Sequence, residues 1–457
     1  MEQFNAFPAD DSYAYEPLGH GRAIRLLQIM PDATEPHGFS LTLQTMDLDD
    51  EPLFCALSYT WKSAIVSGLE HDNDDYQPPT VVTILCDGKK LAINENAFDF
   101  LRQALIDRLF LAAYDGEDED LPGLFRLTDY QTRGQDGDIP RRLWIDSISI
   151  NQKDVTERSR QVSLMGDIYQ NSANTIIWLG KEDPHPGARW VMQTFLPRFL
   201  RLLDEEGQHY FKRKDPACVD HGLVRHFGEE ICARWREEQR NFFVFLIQRR
   251  WFCRGWVVQE VILKALEDSD SVVLRCGSFI ILWDDLLHFL AAMTKTDWRR
   301  TITKRLRSHP ETAQYGPRFS QVLQRLVLIN STLRLIMVCY RGETHNWLSQ
   351  DFGPMTDTER FYTIFFETVH KMRGCEFTER KDHFYGCLGL VSRVLDSEYS
   401  STPMTPDYSL SDVDVYIDAA WAMVKHMPYL TLLGDIEDTG MRNFHELPSW
   451  VPDFTVT

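Results

Sequence analysis

The chain has 457 residues, 43% of them hydrophobic, enough for a large core and for two or three domains. Its formal net charge is −20, a field that repels phosphate backbones and anionic lipid, so neither nucleic acid nor membrane is expected as a partner. No run of about 18 apolar residues occurs and the N-terminal stretch lacks the basic-then-apolar order of a signal peptide, so a cytoplasmic protein is expected.

Nine cysteines without a C-x-x-C pair read as buried free thiols in a reducing compartment. The segments "AIRLLQIM" (23–30), "FSLTLQTM" (39–46) and "FCALSYTW" (54–61) are short, apolar and bounded by turn formers, which predicts strands. A polar loop (62–79) leads to a hairpin over 80–93 that turns at Asp87-Gly88. Asn94 is placed to cap the helix of "NENAFDFLRQALIDRLF". The acidic stretch from Asp115 to Pro140 reads as a surface loop.

A strand is predicted at "RRLWIDSISI" (141–150), then a helix over 154–172 with Val162, Met165, Ile168 and Tyr169 on one face. "NTIIWLG" (174–180) is a continuously apolar, buried strand. Strand, helix, strand gives an α/β layout with right-handed crossovers. Residues from Asp183 to about Arg240 read as a charged helical insertion, and helical patterns dominate from about 284, as at 320–340 and 411–427. The expected domains are therefore 1–285, with the insertion at about 183–240, and a mainly helical 286–457.

Two features are read in favour of a plain structural account. The basic stretch 298–309 is read as a solvated face. Cys218, His221, His226 and Cys232 are zinc-ligand types, but the spacing C-x2-H-x4-H-x5-C is not that of a finger, and accidental co-occurrence is favoured. No cofactor or metal is expected.

One acid raises a question. In "RRWFCRGWVVQEVIL" (249–263), read as a helix from about Cys253, Val257 and Val261 share one line and Val258 and Ile262 another. Trp256 lies one turn before Glu260. A carboxylate in such surroundings is costly to bury unless it is paired or hydrogen-bonded. On the residues alone, Glu260 is a structural acid paired with Arg249, Arg250 or Arg254, or it is a ligand-binding or catalytic group.

Three segments, "ALSYTW" (56–61), "LWIDSISINQ" (143–152) and "RRWFCRGWVVQE" (249–260), together resemble the HET domain of fungal heterokaryon-incompatibility proteins. The resemblance runs from about Tyr15 to residue 285. "KDHFYGCLGL" (381–390), "PDYSLSDVDVYIDAA" (406–420) and "LPSWVPDF" (447–454) resemble the part downstream of that domain, and the last of these normally precedes further sequence. Two positions depart from the family: Lys62 stands where Gly is usual after "SYTW", and Ser149 where Cys is usual. A mechanism needing a nucleophilic cysteine there is thereby disfavoured.

The HET domain is in turn similar to the TIR domain, a flavodoxin-like α/β unit. That second resemblance implies a sheet-and-helix domain in which Trp256 and Glu260 match the tryptophan and catalytic glutamate of NAD-hydrolysing TIR domains. It implies a cell-death effector of allorecognition that is an NAD nucleosidase, acting on NAD or a related nucleotide as substrate. Self-association on activation and a protein trigger from an incompatible partner are expected with it. Its rival is a non-enzymatic assembly module that triggers death through recruited partners.

The chemistry is self-consistent. The nicotinamide of NAD leaves as a neutral base, so a single carboxylate in a dry aromatic pocket suffices to stabilise the ribosyl cation. Tyr59, Trp61, Lys62, Asp146, Asn151 and Trp256 are the expected substrate-binding residues. Each has a plainer alternative. Tyr59 and Trp61 are otherwise core aromatics, Asp146 a cap of the turn into "SISINQ", and Asn151 a holder of loop backbone.

Overall fold

The computed structural model describes residues 11–19, 21–66, 80–113, 142–206, 216–294, 304–305, 307–308, 356–373, 375–394, 404–427 and 430–456. They form two compact units. The first takes Met1–Ile150, Ser172–Phe252 and Asp268–Val327; the second takes Asn151–Asn171, Cys253–Glu267 and Leu328–Thr457. This spatial division is not the linear one at 285, because the helices Val155–Asn171 and Val257–Glu267 cluster with the C-terminal helices.

The first unit is built on a mixed nine-stranded sheet: β1 (Ala23–Pro31), β2 (Phe39–Asp47), β3 (Cys55–Ser58), β4 (Val81–Cys86), β5 (Lys89–Asn94), β6 (Arg142–Trp144), β7 (Asn174–Trp178), β8 (Val272–Cys276) and β9 (Phe279–Leu282). Their spatial order is β5-β4-β2-β1-β6-β3-β7-β8-β9. The block β6-β3-β7-β8 is parallel throughout. The α/β class stands as expected, and the strands expected within 54–61, 141–150 and 174–180 are found, shorter, at Cys55–Ser58, Arg142–Trp144 and Asn174–Trp178.

Local chemistry explains several elements. β4 and β5 pair antiparallel, with Asp87 (φ 48) and Gly88 (φ 75) both left-handed between them, as a two-residue hairpin turn requires. Asn94 caps the Glu95–Ala113 helix, its Oδ1 accepting from the Ala97 amide at 2.8 Å. Val162, Met165, Ile168 and Tyr169 are all buried along Val155–Asn171.

Two expectations need correction. The strand expected over 141–150 stops at Trp144, and Asp146–Ser149 is a helical turn. Alternating apolar residues suggest a strand there, but Asp146 Oδ1 accepts from the Ser147 amide and Ser149 Oγ from the Ile145 amide, which curls the chain. The helix carrying Glu260 begins at Val257, not near Cys253, because Arg250–Cys253 is a separate 3-10 turn.

The proposed insertion is helical, at Leu196–Glu206 and Pro216–Gln248, the second broken at Gly228 (φ 81). In the second unit, Val155–Asn171, Val257–Glu267 and Asp382–Val394 pack together, with Asp357–Lys371 and Asp412–His426 beyond. Gly166 and Gly389 let the first and third helices approach the Gln259 side chain. The expected loop residues 67–79 and 115–140, the helix pattern at 320–340, most of the basic stretch 298–309 and the side chains of Cys218 and His221 lie outside the described residues. Among the described residues seven cysteines are buried, and no helix is long and apolar enough to cross a membrane.

Candidate functional site

The seven residues singled out from the sequence divide between the units. Tyr59, Trp61, Lys62 and Asp146 belong to the first; Asn151, Trp256 and Glu260 belong to the second.

In the first unit the chain leaves β3 at Ser58, and the next residues are fixed by a buried polar network. Tyr59 is 1% exposed. Its hydroxyl lies 2.6 Å from Ser147 Oγ and accepts from Asn94 Nδ2 at 2.8 Å. Asn96 Nδ2 donates to the Thr60 carbonyl at 2.7 Å, and Asn96 Oδ1 accepts from Trp178 Nε1 at 2.9 Å. Trp61 is partly buried and donates its indole N–H to Asp146 Oδ2 at 2.9 Å. Asp146 thus accepts from the adjacent Ser147 amide with one oxygen and holds Trp61 with the other.

The Lys62 carbonyl accepts from Thr60 Oγ1, so this residue's backbone closes the loop. Ser149 is wholly buried, and its hydroxyl accepts a backbone hydrogen bond. That is the behaviour of a small structural side chain.

In the second unit the Glu260 helix starts behind a close approach. The Gly255 amide donates to the Glu376 carbonyl, and the Glu376 amide to the Cys253 carbonyl, so the chain before Trp256 runs beside 375–377. A Cβ on Gly255 would sit 1.8 Å from the Phe377 ring. Trp256 meets Phe377 edge to face at 6.4 Å, and its N–H donates to Asp382 Oδ2 at 3.2 Å.

Glu260 is 1% exposed and its amide donates to the Trp256 carbonyl at 3.1 Å. Val257, Val258, Val261 and Ile262 are buried around it, as the spacing predicts. Arg254 donates to both carboxylate oxygens, at 3.3 and 3.4 Å. Arg254 is one of the three arginines weighed from sequence as a partner for Glu260. Asn151 Oδ1 accepts from the Lys153 amide and the Asn151 amide donates to Glu157, a loop-holding arrangement.

Sequence reasoning missed Asn96, Ser147, Asp382 and Tyr408. Asp382 is the most perturbed acid beside the named residues. Burial pushes its carboxyl up to about 7, against the lowering effect of the Tyr408 hydroxyl that donates to Oδ1 at 2.7 Å. Its neighbour His383 is pushed down to about 4, also by burial. The one available signal was that Asp382 and Tyr408 fall in segments already noted as resembling the downstream part of the family.

Residues 113–260 match the family model "Heterokaryon incompatibility protein (HET)". The chain is also similar to "Heterokaryon incompatibility protein 6, OR allele" of Neurospora crassa, with 24% identity over 476 residues that cover 98% of this chain. The chain spans 60% of the length of that curated relative. No solved structure matches it. The stretch similar to that family model contains the Asp146 turn, the Val155–Asn171 helix and the Trp256–Glu260 segment, so both comparisons point to heterokaryon-incompatibility (HET) proteins of fungi as what this chain is similar to.

Proposed function

We propose that this protein is an effector of fungal heterokaryon incompatibility that kills the cell on non-self recognition by hydrolysing NAD to nicotinamide and ADP-ribose. The observation that carries the reading is the Trp256–Glu260 pair. The Glu260 carboxylate, 1% exposed, lies one helical turn from Trp256, with Val257, Val258, Val261 and Ile262 buried around it. The TIR resemblance puts the catalytic glutamate at that position.

A second observation supports a TIR-like, flavodoxin-like assignment for the sheet. Numbered in chain order, the four parallel strands β3, β6, β7 and β8 stand in space as 2-1-3-4. This is the strand order of flavodoxin-like sheets. The Arg254 pairing suits an enzyme that is silent at rest, since a cationic transition state would compete with the guanidinium for the same oxygens. Self-association and a triggering protein are then the means of activation.

The same ion pair favours a second reading, a non-enzymatic signalling module. The Glu260 side chain is only 2% exposed and doubly bonded, as a structural acid would be. Nicotinamide release by the purified chain, dilute and under crowding, decides between the two. Release that grows with protein concentration supports the enzyme. No release under conditions where expression still kills cells leaves only the signalling module.

A further inference from the structure

Asp382, from the segment 381–390, meets Trp256, and Tyr408, from the segment 406–420, meets Asp382. Asp382 Oδ2 accepts from Trp256 Nε1 at 3.2 Å, and Asp382 Oδ1 accepts from the Tyr408 hydroxyl at 2.7 Å. All three residues belong to the second unit. We propose that Asp382 is a positioning residue for Trp256, and that through it the segments downstream of the family match complete the Glu260 site. This rests on the NAD-cleaving reading.

The geometry leaves the indole little freedom. Its N–H is tied to Asp382, its ring meets Phe377, and a Cβ on Gly386 would be 3.7 Å from Trp256 Cε3. Asp382 is fixed in turn. The Tyr408 ring carries the Arg158 guanidinium 4.1 Å from its centroid, and Arg158 pairs with Glu379 at 3.0 Å. Lys381 Nζ donates to the Leu410 and Tyr408 carbonyls, which anchors the tyrosine segment. An aromatic wall for a ribosyl cation needs a fixed ring, and a buried acceptor supplies one.

Protonation does not release the ring. As a carboxylate, Asp382 accepts from both donors. As an acid, it gives its Oδ1 proton to the Tyr408 oxygen and keeps Oδ2 for the indole. Asp382→Asn mimics the second state, with the amide toward Tyr408 and the oxygen toward Trp256. Asp382→Leu has similar volume and leaves both donors unpaired. The groups acting on this carboxyl are Tyr408, Trp256, Glu379 and Arg158, with Lys381 and His383 flanking it in the chain. Burial pushes it up to about 7.

The test uses the full chain labelled with 5-fluorotryptophan, the Trp256 fluorine signal being assigned by its disappearance in Trp256→Phe. The wild-type signal should titrate near pH 7, be flat in Asp382→Asn, and move and broaden in Asp382→Leu. In nicotinamide release, Asp382→Leu should raise KM for NAD about tenfold with kcat changed less than about threefold, and Asp382→Asn should stay within about twofold of wild type. An unmoved Trp256 signal in Asp382→Leu overturns the proposal, as does an equal loss of kcat in both variants.

Should Asp382→Leu not fold, Tyr408→Phe serves instead. Losing the hydroxyl that lowers the acid must raise the midpoint of the Trp256 titration, and an unshifted midpoint overturns the positioning role. Wild-type protein that releases no nicotinamide while its fluorine signals behave as described removes the NAD reading and leaves Asp382 as the residue that positions Trp256.

Discussion

Arg254 and Glu260, six residues apart, meet across the start of a helix, with Nη1 on Oε2 and Nη2 on Oε1. Their side chains are unequally buried, at 16% and 2% exposure. That inequality makes a prediction. Removing one partner of a buried pair costs roughly 3–5 kcal/mol, because the other charge is left in the interior. Arg254→Gln takes the cation from the more deeply buried charge and should approach that range. Glu260→Gln takes the anion from the less buried guanidinium and should cost roughly half as much or less. If Glu260 is also catalytic, its replacement should lower NAD cleavage on the order of 100-fold or more, beyond any loss of folded protein. Denaturant unfolding of both variants checks the order. Equal costs, or Glu260→Gln as the worse, would contradict the burial argument.

In the first unit the comparable position is Asn94. Its Oδ1 caps a helix, while its Nδ2 donates to Tyr59 and Ser147. Asn94→Ala loses a cap, typically about 1 kcal/mol, and leaves buried hydroxyls short of a donor at a further ~1 kcal/mol or more. Asn94→Asp keeps the cap acceptor and should cost less. Thermal unfolding followed by circular dichroism distinguishes them, and an Asp variant as unstable as the Ala variant would deny the cap its part.

Gly255 and Phe377 give a prediction about coupling. With a Cβ placed 1.8 Å from the Phe377 ring, Gly255→Ala forces the ring aside, and overpacking of this kind costs about 1–3 kcal/mol or more. Phe377→Ala opens the space. The double variant should therefore be more stable than the sum of the singles by about 1 kcal/mol or more, a coupling that a double-mutant cycle reads directly. Additive effects would mean that the glycine is tolerated for another reason.

These positions also mark how far the sequence could be read. The Asp87-Gly88 turn and the Asn94 cap are local: a left-handed pair and a side chain three residues from its amide follow from residue type. The buried faces of Val155–Asn171 and Val257–Glu267 follow from helical spacing. Glu260 was legible as a buried acid for the same reason, and Arg254 as one of three candidate partners. Asp382 was not legible in its contact, since Trp256 lies 126 residues away and no periodicity connects them. The false strand at Asp146–Ser149 arose because alternation of apolar residues outvoted two short polar side chains that bond to nearby backbone. The interleaving of the two units is likewise a tertiary fact.

The last prediction concerns pH and two adjacent residues with opposite displacements. Burial raises Asp382 from 3.8 to about 7, so between those values the folded protein holds a proton that the unfolded chain has lost. Stability from this residue is therefore present below pH 3.8 and lost as pH rises toward 7, at up to about 1.4 kcal/mol per pH unit. Burial lowers His383 from 6.5 to about 4, so in that window the unfolded chain holds the extra proton. Its contribution is present above 6.5 and lost as pH falls through 4. The two slopes oppose each other over nearly the same range, and in the wild type they largely cancel. Removing one exposes the other. Relative to wild type, Asp382→Asn should gain stability as pH rises from about 4 to 7, because the cost of ionising a buried acid is gone. His383→Gln should show the reverse, losing stability relative to wild type over about 4 to 6.5, since the benefit of neutralising a buried imidazole is absent. Melting temperatures of the three proteins across this range, compared as differences at each pH, provide the measurement. Parallel curves for wild type and Asp382→Asn would mean that Asp382 is ionised in the folded protein throughout, held so by Trp256 and Tyr408 against its burial.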